Sequence, residues 1–335
     1  MDVERFHFMR LSSKIPFFLV NPAAGNGSTG STWPGIAAYL KEKIGDFETH
    51  LTSRPLEARR HAAMAVERGV RKLICVGGDG TLNEVINGVM DFNQGLAGEI
   101  KLGFFPNGTG CDLAKTLAVP RDVKEAVRVI SEEETIAMDI GRISHADHDG
   151  KGSVRYFHNI ASLGLGGEVV RRVNRTSKRF GPFLSFIWAT LITIFTYEKK
   201  RCILSVDGAA PRESVIWHIA VANGQFQGGG MWVAPDAGVE DGIFDITVVG
   251  DMTLSQVLIN LHNLYNGRIK GVRNVECLRG KTVEVSSREK VFLDVDGEEP
   301  GTLPVRMELI PGAIKMMVDK GKRPGTIRSG CNVRH

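Results

Sequence analysis

The chain has 335 residues, of which 42% are hydrophobic and 24% charged, and its formal net charge at pH 7 is +4. This length and composition predict a globular protein with two domains. The five cysteines are scattered and lack a paired CxxC spacing, so neither a disulfide framework nor a cysteine zinc site is indicated. Aromatic and basic residues are not interleaved as in RNA-binding modules, and no nucleic-acid partner is expected.

Two segments bear on where the protein works. The residues before the first apolar run carry both charge signs and differ from a signal peptide, which predicts a cytoplasmic location. A basic cluster at 171–179 precedes an apolar stretch at 183–197, which is short for a membrane span. It predicts either a buried core helix with solvated basic flanks or a helix that meets the inner face of a membrane.

The first 140 residues alternate between strand and helix patterns. Strands are predicted at 15–20, 46–52, 72–76 and 101–105, and helices near 32–44, 55–68, 82–92 and 122–132. This order predicts an α/β domain with a mainly parallel sheet and helices on both faces. Ligands bind such sheets beyond the carboxyl ends of the strands, which directs attention to the loops that follow them.

From residue 137 onward, short β patterns dominate. Strands are predicted at 137–143, 154–160, 202–206, 215–221, 243–249, 282–286, 291–295 and 305–310, with helices near 166–175, 183–197 and 254–266. We therefore predict an α/β domain at 1–142 and a β-rich second domain at 143–312.

Three turns at predicted strand ends combine small residues with polar side chains. They are Asn21-Pro22-Ala23-Ala24-Gly25, Gly77-Gly78-Asp79-Gly80-Thr81-Leu82-Asn83-Glu84 and Gly108-Thr109-Gly110-Cys111-Asp112. Such backbones can approach phosphates, although neither the dinucleotide nor the P-loop fingerprint is present. Asp79 would act beside a triphosphate through a bridging divalent cation; alternatively, it caps the adjacent helix. Thr81 and Glu84 match a capping box at the start of that helix.

A second acidic group follows a predicted strand much later in the chain. It reads Asp294-Val295-Asp296-Gly297-Glu298-Glu299-Pro300, and its Asp-Gly pair indicates a tight turn. The group is either a solvated turn or, if it folds over a cleft, a source of catalytic carboxylate. In the second case Glu298 would accept the proton of an attacking hydroxyl in phosphoryl transfer.

Taken together and in this order, these motifs resemble the diacylglycerol kinase catalytic domain of bacterial soluble lipid kinases. The resemblance covers nearly the whole chain and includes the Phe157-His158-Asn159 segment and the Gly228-Gly229-Gly230-Met231 segment. The Gly-Gly-Asp-Gly-Thr motif alone is shared with NAD kinases and phosphofructokinases. Cys111 departs from the family, which usually has Asn or Ser at this position.

The resemblance implies a nucleotide-binding domain at 1–142, a sandwich-like lipid-substrate domain at 143–312 and a C-terminal segment at 313–335 that returns to the first domain. It also implies a role for each matching position. ATP contacts are implied for Asn21, Pro22, Ala23, Ala24, Gly25, Thr52, Gly78, Asp79, Gly80, Thr81, Leu82, Asn83, Glu84, Gly108 and Thr109. Glu298 matches the general base and Asp79 lies at the phosphates. A structural Mg²⁺ is implied on a loop where Asp241 offers its side chain and Gly238 and Ile243 offer carbonyls.

The resulting expectation is a lipid kinase that uses ATP and Mg²⁺ and converts diacylglycerol to phosphatidic acid at the membrane surface. A sphingoid, ceramide or polyprenol kinase would use the same residues. An NAD kinase shares Gly77 to Thr81, but the other motifs and the apolar helix at 183–197 favour a lipid substrate. A noncatalytic lipid-binding protein is a further alternative, disfavoured because both carboxylates are present. A homodimer is left open.

Overall fold

The computed structural model describes residues 15–92, 98–108, 110–175 and 182–322. Two large β-sheets organise these residues, one of ten strands and one of five. The N-terminal strands of the larger sheet pair in parallel and are covered by helices. The later strands of this sheet pair antiparallel with one another. The predicted fold class, an α/β domain followed by a β-rich sandwich, is confirmed.

The N-terminal half contains a parallel sheet whose strands lie in the order 48–51, 17–20, 72–77 and 101–106. The last three of these are nearly continuous apolar runs because helices cover both faces of the sheet, whereas the edge strand at 48–51 is polar and half-exposed. The elements are β1 (Phe17–Val20), α1 (Ser28–Ile44), β2 (Glu48–Leu51), α2 (Glu57–Glu67), β3 (Lys72–Gly77), α3 (Asp79–Phe92), β4 (Lys101–Pro106), α4 (Asp112–Leu117) and α5 (Val123–Glu132).

The C-terminal half is a sandwich of antiparallel strands. Its elements are β5 (Thr135–Ala146), β6 (Gly152–Phe157), β7 (Ile160–Gly164), α6 (Leu165–Arg175), α7 (Pro182–Thr196), β8 (Lys200–Val206), β9 (Arg212–Ile216), β10 (His218–Ala222), β11 (Phe226–Gln227), β12 (Met231–Trp232), β13 (Phe244–Val249), α8 (Leu254–Asn260), β14 (Val275–Gly280), β15 (Thr282–Ser286), β16 (Leu293–Val295) and β17 (Thr302–Met317).

The sandwich core lies between the two sheets. Residues from β5, β8, β15 and β17 of the large sheet pack against residues from β7, β10, β13 and β16 of the smaller one. Phe157 and Phe244 stack across this core with ring centroids 5.5 Å apart. Burial of these apolar side chains removes them from water and is the main source of cohesion between the sheets.

Several predicted elements differ from the structure in extent. The strand predicted at 154–160 is two strands, β6 and β7, separated by His158 and Asn159, and the one predicted at 305–310 runs from Thr302 to Met317. The helix predicted at 254–266 ends at Asn260 and continues as a short 3-10 turn, Leu261–Leu264. Among the described residues no helix has both the length and the apolar character needed to cross a bilayer.

The predicted capping box at the start of α3 is wrong. The helix begins at Asp79, so Thr81 already lies in its first turn, where its hydroxyl accepts a hydrogen bond from Asn21. Glu84 points to a different helix and accepts the backbone amides of Leu56 and Ala58 at the start of α2. The physical reason is that the unpaired amides of α2 lie within reach of the Glu84 carboxylate.

Strand β17 connects the two halves of the molecule. Its end pairs parallel with β4 through Lys315 and Met316, while its earlier residues pair antiparallel with β5 and β15. The Asp139 carboxylate on β5 accepts the backbone amides of Gly242 at 2.8 Å and Gly312 at 2.7 Å. Gly312 lies at a register shift of β17, with a φ of 56°, so Asp139 fixes this irregular backbone.

Replacing Asp139 by Ala is expected to lower the free energy of unfolding by about 1–3 kcal/mol, because two buried amides lose their acceptor. Urea unfolding followed by circular dichroism measures the change. Asp147→Ala is the matched control, since Asp147 also accepts two backbone amides but lies in an exposed hairpin loop. An equal loss of stability in both variants would contradict the role assigned to Asp139.

Candidate active site

Three loops meet at the carboxyl ends of β1, β3 and β4. Asn21 donates a hydrogen bond from its side-chain amide to the Thr81 hydroxyl at 2.9 Å. A Cβ atom on Gly108 would lie 2.6 Å from the Cα of Gly78, so only glycine permits this approach. Gly25, with a φ of 59°, approaches Asn107 in the same way. The predicted convergence of the three turns is therefore present in the structure.

Asp79 stands at the centre of these loops, at the start of α3. Its Oδ2 accepts the backbone amide of Asp112 at 3.3 Å, while its Oδ1 is buried and has no hydrogen-bond partner among the described residues. Burial raises the pKa of this carboxyl, and the nearby Asp112 and Asp296 carboxylates add to the rise, although His158 opposes it. A buried carboxylate oxygen without a partner is costly unless a cation or donor binds it.

Asp112 connects the third loop to a glycine-rich segment of the second half. Its carboxylate accepts the backbone amide of Gly229 at 2.8 Å and contacts the Lys115 ammonium at 2.7 Å. Lys115 thus places a positive charge beside the paired carboxylates Asp79 and Asp112. The first loop has no Lys or Arg directly after Gly25. Lys115 therefore supplies a positive charge that the first loop does not.

Asp296, in the late acidic turn, is the most heavily bonded carboxylate of the site. Its side chain is 1% exposed and accepts the backbone amides of His158, Asn159 and Ile160 at 2.9–3.1 Å. It also accepts the side-chain amide of Asn83 on α3 at 2.8 Å. The late turn is thereby attached to the nucleotide half, across 213 positions of sequence.

His158 and Asp296 form a buried pair. Burial alone would raise the pKa of Asp296, but the imidazole of His158, 2.8 Å away, and the amide donors outweigh it and lower that pKa. Burial likewise opposes charge on His158, yet the Asp296 carboxylate outweighs burial and raises the pKa of His158. Asp296 is therefore held as a carboxylate.

Glu298 follows Asp296 by two residues and is paired with Arg155. The distance between a Glu298 carboxylate oxygen and the Arg155 guanidinium is 2.7 Å, and the Glu298 side chain is 37% exposed. Arg155 comes from β6, next to the residues that bind Asp296. Glu298 is thus oriented by a fixed cation yet open to a cavity, unlike the buried Asp296.

A cavity of about 560 Å³ joins these carboxylates to an apolar chamber. Asp79, Asp112, Asp296 and Glu298 lie at its polar end. The walls beyond are apolar and come from α6, α7, β13 and the segment around α8, and they include Val169, Val170, Val173, Ile194, Val257, Leu261 and Leu264. The two predicted catalytic carboxylates, Asp79 and Glu298, therefore line one cavity.

The remaining predicted nucleotide residues lie around the same loops. The backbone amide of Thr52 donates to Val20 and places Thr52 beside the first loop. Leu82 is fully buried in the core, Asn83 is bonded to Asp296 and the Tyr156 carbonyl, and Glu84 caps α2, so these three side chains contact protein groups. Thr109 lies outside the described residues. The roles of these residues in nucleotide binding stay predictions.

The loop predicted to hold a structural Mg²⁺ offers oxygen donors. The Asp241 carboxylate lies beside Gly238 and accepts the amide of Ile243 at 3.3 Å, and one of its oxygens pairs with Arg279. The buried Oδ2 of Asp245 lies 3.4 Å from the same Arg279 guanidinium, and burial raises the pKa of Asp245 to about 6. Carboxylate and carbonyl oxygens are the ligands that Mg²⁺ prefers, so the donor types of this loop fit such an ion.

Sequence reasoning missed several residues of the site. The sequence patterns place Asp112, His158 and Asp296 only within longer motifs and give no role to Arg155. They place Asp294 only within a turn. Asp294 is buried, accepts Gly297 and Gln227 at 2.8 and 2.7 Å, and burial raises its pKa to about 7. Their contacts cross more than 60 positions in most cases, and no local spacing signals them.

Two families of known proteins match this chain. Residues 16–143 match the diacylglycerol kinase catalytic domain, and residues 159–318 match the YegS C-terminal NAD kinase beta sandwich-like domain. A diacylglycerol kinase of Staphylococcus carnosus is 30% identical over 301 residues, which cover 88% of this chain and 91% of the relative. A diacylglycerol kinase of Mycobacterium tuberculosis H37Rv is 28% identical over 304 residues, 89% of this chain and 93% of the relative.

Solved structures share the fold. A diacylglycerol kinase structure from Bacillus anthracis Sterne superposes with a TM-score of 0.68 at 21% identity, covering 92% of this chain and 98% of the other. Yeast NADH kinase in complex with NADH gives a TM-score of 0.53 at 11% identity, covering 90% of this chain and 82% of the other.

The matched catalytic domain defines a kinase. The chain belongs to the diacylglycerol kinase-like family of bacterial lipid kinases, as the matched domains and the Staphylococcus relative show.

The raised pKa of Asp294 predicts that the stability of the protein depends on pH. Its pKa of about 7 in the folded protein lies above the ordinary value of 3.8, so the folded state binds the proton more tightly than the unfolded state does. The contribution of Asp294 to stability therefore falls as the pH rises from about 4 to about 7. Replacing Asp294 by Asn should make the unfolding free energy less dependent on pH across this window.

The measurement is urea unfolding of both proteins at about pH 5 and about pH 8, with Asp149→Asn in an exposed loop as the control. The wild type should lose more stability than Asp294→Asn between these two pH values. Parallel pH dependence of the two proteins would show that Asp294 is ionised throughout.

Proposed function

We propose that this protein is a kinase that uses ATP and Mg²⁺ to convert diacylglycerol to phosphatidic acid. The observation that carries the proposal is the cavity in which Asp79 and Glu298 meet a long apolar chamber. A polar reaction end joined to an apolar chamber suits an alcohol that carries hydrocarbon chains. The names of the relatives from Staphylococcus carnosus and Mycobacterium tuberculosis support this choice of substrate.

The three-loop cluster supports ATP as the phosphoryl donor. Gly78 and Gly108 bring two backbones together beside the start of α3, where free amides and the helix dipole favour phosphate. Lys115 adds a fixed positive charge at the same place. The hydrogen bond from Asn21 to Thr81 joins two of these loops and fixes their relative position before the nucleotide binds.

Asp79 would hold Mg²⁺ at the phosphates, since one of its oxygens is buried and has no hydrogen-bond partner within the part of the chain that the structure describes. When bound, the ion neutralises negative charge on the transferring phosphoryl group. A second ion would lie on the loop of Gly238, Asp241 and Ile243, where its contribution is to fold rather than to the reaction.

The proposed reaction begins with the lipid hydroxyl at the polar end of the cavity. Glu298 accepts the hydroxyl proton while the hydroxyl oxygen forms a bond to the γ-phosphorus, and the bond to the β-γ bridging oxygen of ATP breaks to release ADP. Arg155 holds Glu298 in position and keeps a positive charge near the developing anion. The Asp296 contacts keep the turn of Glu298 against α3 during this transfer.

Replacing Glu298 by Gln is expected to lower turnover by about 10²–10⁴-fold, the usual contribution of a general base, with little change in ATP affinity. Glutamine keeps a hydrogen-bond acceptor for Arg155, so the geometry of the turn is retained. Turnover is measured with labelled ATP and diacylglycerol in mixed micelles, and ATP affinity by calorimetry.

Glu308→Gln is the matched control, because Glu308 also pairs with an arginine, Arg142, at 3.0 Å but lies away from the cavity. Full activity of Glu298→Gln would place the base elsewhere. The same assay with a sphingoid base, ceramide, a polyprenol or NAD in place of diacylglycerol tests the substrate class. Phosphorylation of one of these alone would reassign the substrate while keeping the kinase.

The surface beside the chamber supports an approach to the membrane. On α7, Trp188, Leu191 and Phe195 are 37–64% exposed and recur at helical spacing, while Thr190 and Ile194 on the same helix line the cavity. In the segment around α8, which also lines the cavity, Ile259 and Tyr265 are 69% and 62% exposed. We call these five exposed side chains the apolar rim. Exposed apolar side chains of this kind can insert at the headgroup boundary of a bilayer.

Replacing both Trp188 and Phe195 by Ser is expected to lower binding to vesicles of phosphatidylglycerol and diacylglycerol by roughly tenfold or more, because two large apolar side chains no longer leave water. Vesicle flotation measures the bound fraction. The control is Leu51→Ser with Val154→Ser, two exposed apolar residues outside the rim. Unchanged flotation of the rim variant would exclude this surface as the membrane contact.

A further inference from the structure

Two histidines and a glutamate cluster where β2 and α2 meet, outside the cavity described above. His50 lies on β2, and Glu57 and His61 lie one turn apart on α2. Their ligand atoms all lie within 4.8 Å of one another. The spacing of four residues places Glu57 and His61 on one face of the helix, which is also how helical metal sites present paired ligands.

The distances in this cluster match shared coordination better than ion pairing. Glu57 Oε1 lies 3.6 Å from His50 Nε2 and 3.8 Å from His61 Nε2, which is too long for a hydrogen bond. Ligands that bind one tetrahedral ion at about 2.0–2.2 Å lie about 3.3–3.5 Å apart. His50 Nε2 is buried and has no hydrogen-bond partner within the described part of the chain. A metal ion would satisfy this atom.

Glu57 is oriented by a neighbouring serine. The Ser53 amide and hydroxyl donate hydrogen bonds to the other Glu57 oxygen, Oε2, at 2.6 and 3.0 Å. Hydrogen-bond partners hold the ligands of metal sites in the same way.

The two imidazole rings stack, with centroids 3.5 Å apart and an interplanar angle of 19°. Coordination requires the rings to turn about their side-chain torsions so that both nitrogens face one point. The His50 and His61 side chains are 28% and 22% exposed, which leaves room for this rotation.

We propose that His50, Glu57 and His61 form a binding site for a divalent transition metal, Zn²⁺ in the first place. Two imidazoles and one carboxylate are a donor set of zinc with a fourth position open to water, whereas Mg²⁺ prefers oxygen ligands alone. The site is distinct from the proposed Mg²⁺ positions. It lies two residues before Thr52 and joins β2 to α2, whose first turn is bound by Glu84 of α3.

The test uses the full chain, freed of metal with a chelator and titrated with Co²⁺, whose visible absorption reports coordination, and with Zn²⁺ in competition. The expected result is one Co²⁺ per chain with nitrogen and oxygen ligands, displaced by Zn²⁺ but not by excess Mg²⁺. His50→Gln and His61→Gln should each weaken binding by more than roughly tenfold, while the exposed His262→Gln should not.

Circular dichroism of the metal-free variants establishes that they fold, and Glu57→Gln provides a third variant that keeps the size of the side chain. Zn²⁺ should raise the melting temperature of the wild type and leave that of the histidine variants unchanged. The absence of stoichiometric binding overturns the proposal, as does unchanged Co²⁺ affinity in both histidine variants. A sulfur-to-cobalt charge-transfer band would also overturn it, because it would place the ion on cysteine. None of these readouts depends on kinase activity.

Discussion

The site depends on one buried carboxylate, Asp296. It accepts three consecutive backbone amides and the side-chain amide of Asn83, pairs with the imidazole of His158, and so joins the late turn to helix α3 of the N-terminal half. A buried anion is stable only when donors surround it in this way, because each one replaces the water that burial removed. The turn has little freedom as a result, and this fixes the position of Glu298, two residues later. The proposed general base is thus positioned by a neighbouring carboxylate that lines the same cavity.

The hydrogen-bond partners of each acidic residue determine its role in the site. Asp296 and Asp112 have their oxygens occupied by protein donors, and they shape the site. Among the described residues, Asp79 has one oxygen without a hydrogen-bond partner, and Glu298 is partly exposed beside Arg155. These two carboxylates can therefore still bind a ligand. Asp294, with a pKa near 7, is the carboxyl that changes charge close to neutrality. Residues of one chemical type therefore differ in role because their neighbours differ.

Local sequence patterns predicted the architecture well and the site in part. The four strands of the parallel sheet lie within two residues of their predicted bounds. For β1, β3 and β4 this is because buried parallel strands read as short continuous apolar runs, whereas β2 is a half-exposed edge strand of mixed sequence. The three turns were found because glycine at a strand end has a local signature. The bond between Asn83 and Asp296, the cap that Glu84 gives to α2 and the pairing of β17 with β4 join distant positions, and no spacing rule reports them. Their discovery requires the fold. The long apolar helix was correctly placed, but only the structure separates its cavity face from its exposed rim.

Strand β17 has a consequence for the synthesis of the protein. Until β17 has been made, β4 ends the parallel sheet as an unpaired edge, since its outer neighbour β17 begins only at Thr302. The N-terminal half therefore cannot complete its hydrogen bonding before the sandwich strands that precede β17 have been made, and it holds an open, apolar edge strand meanwhile. Such an edge favours edge-to-edge association of incomplete chains.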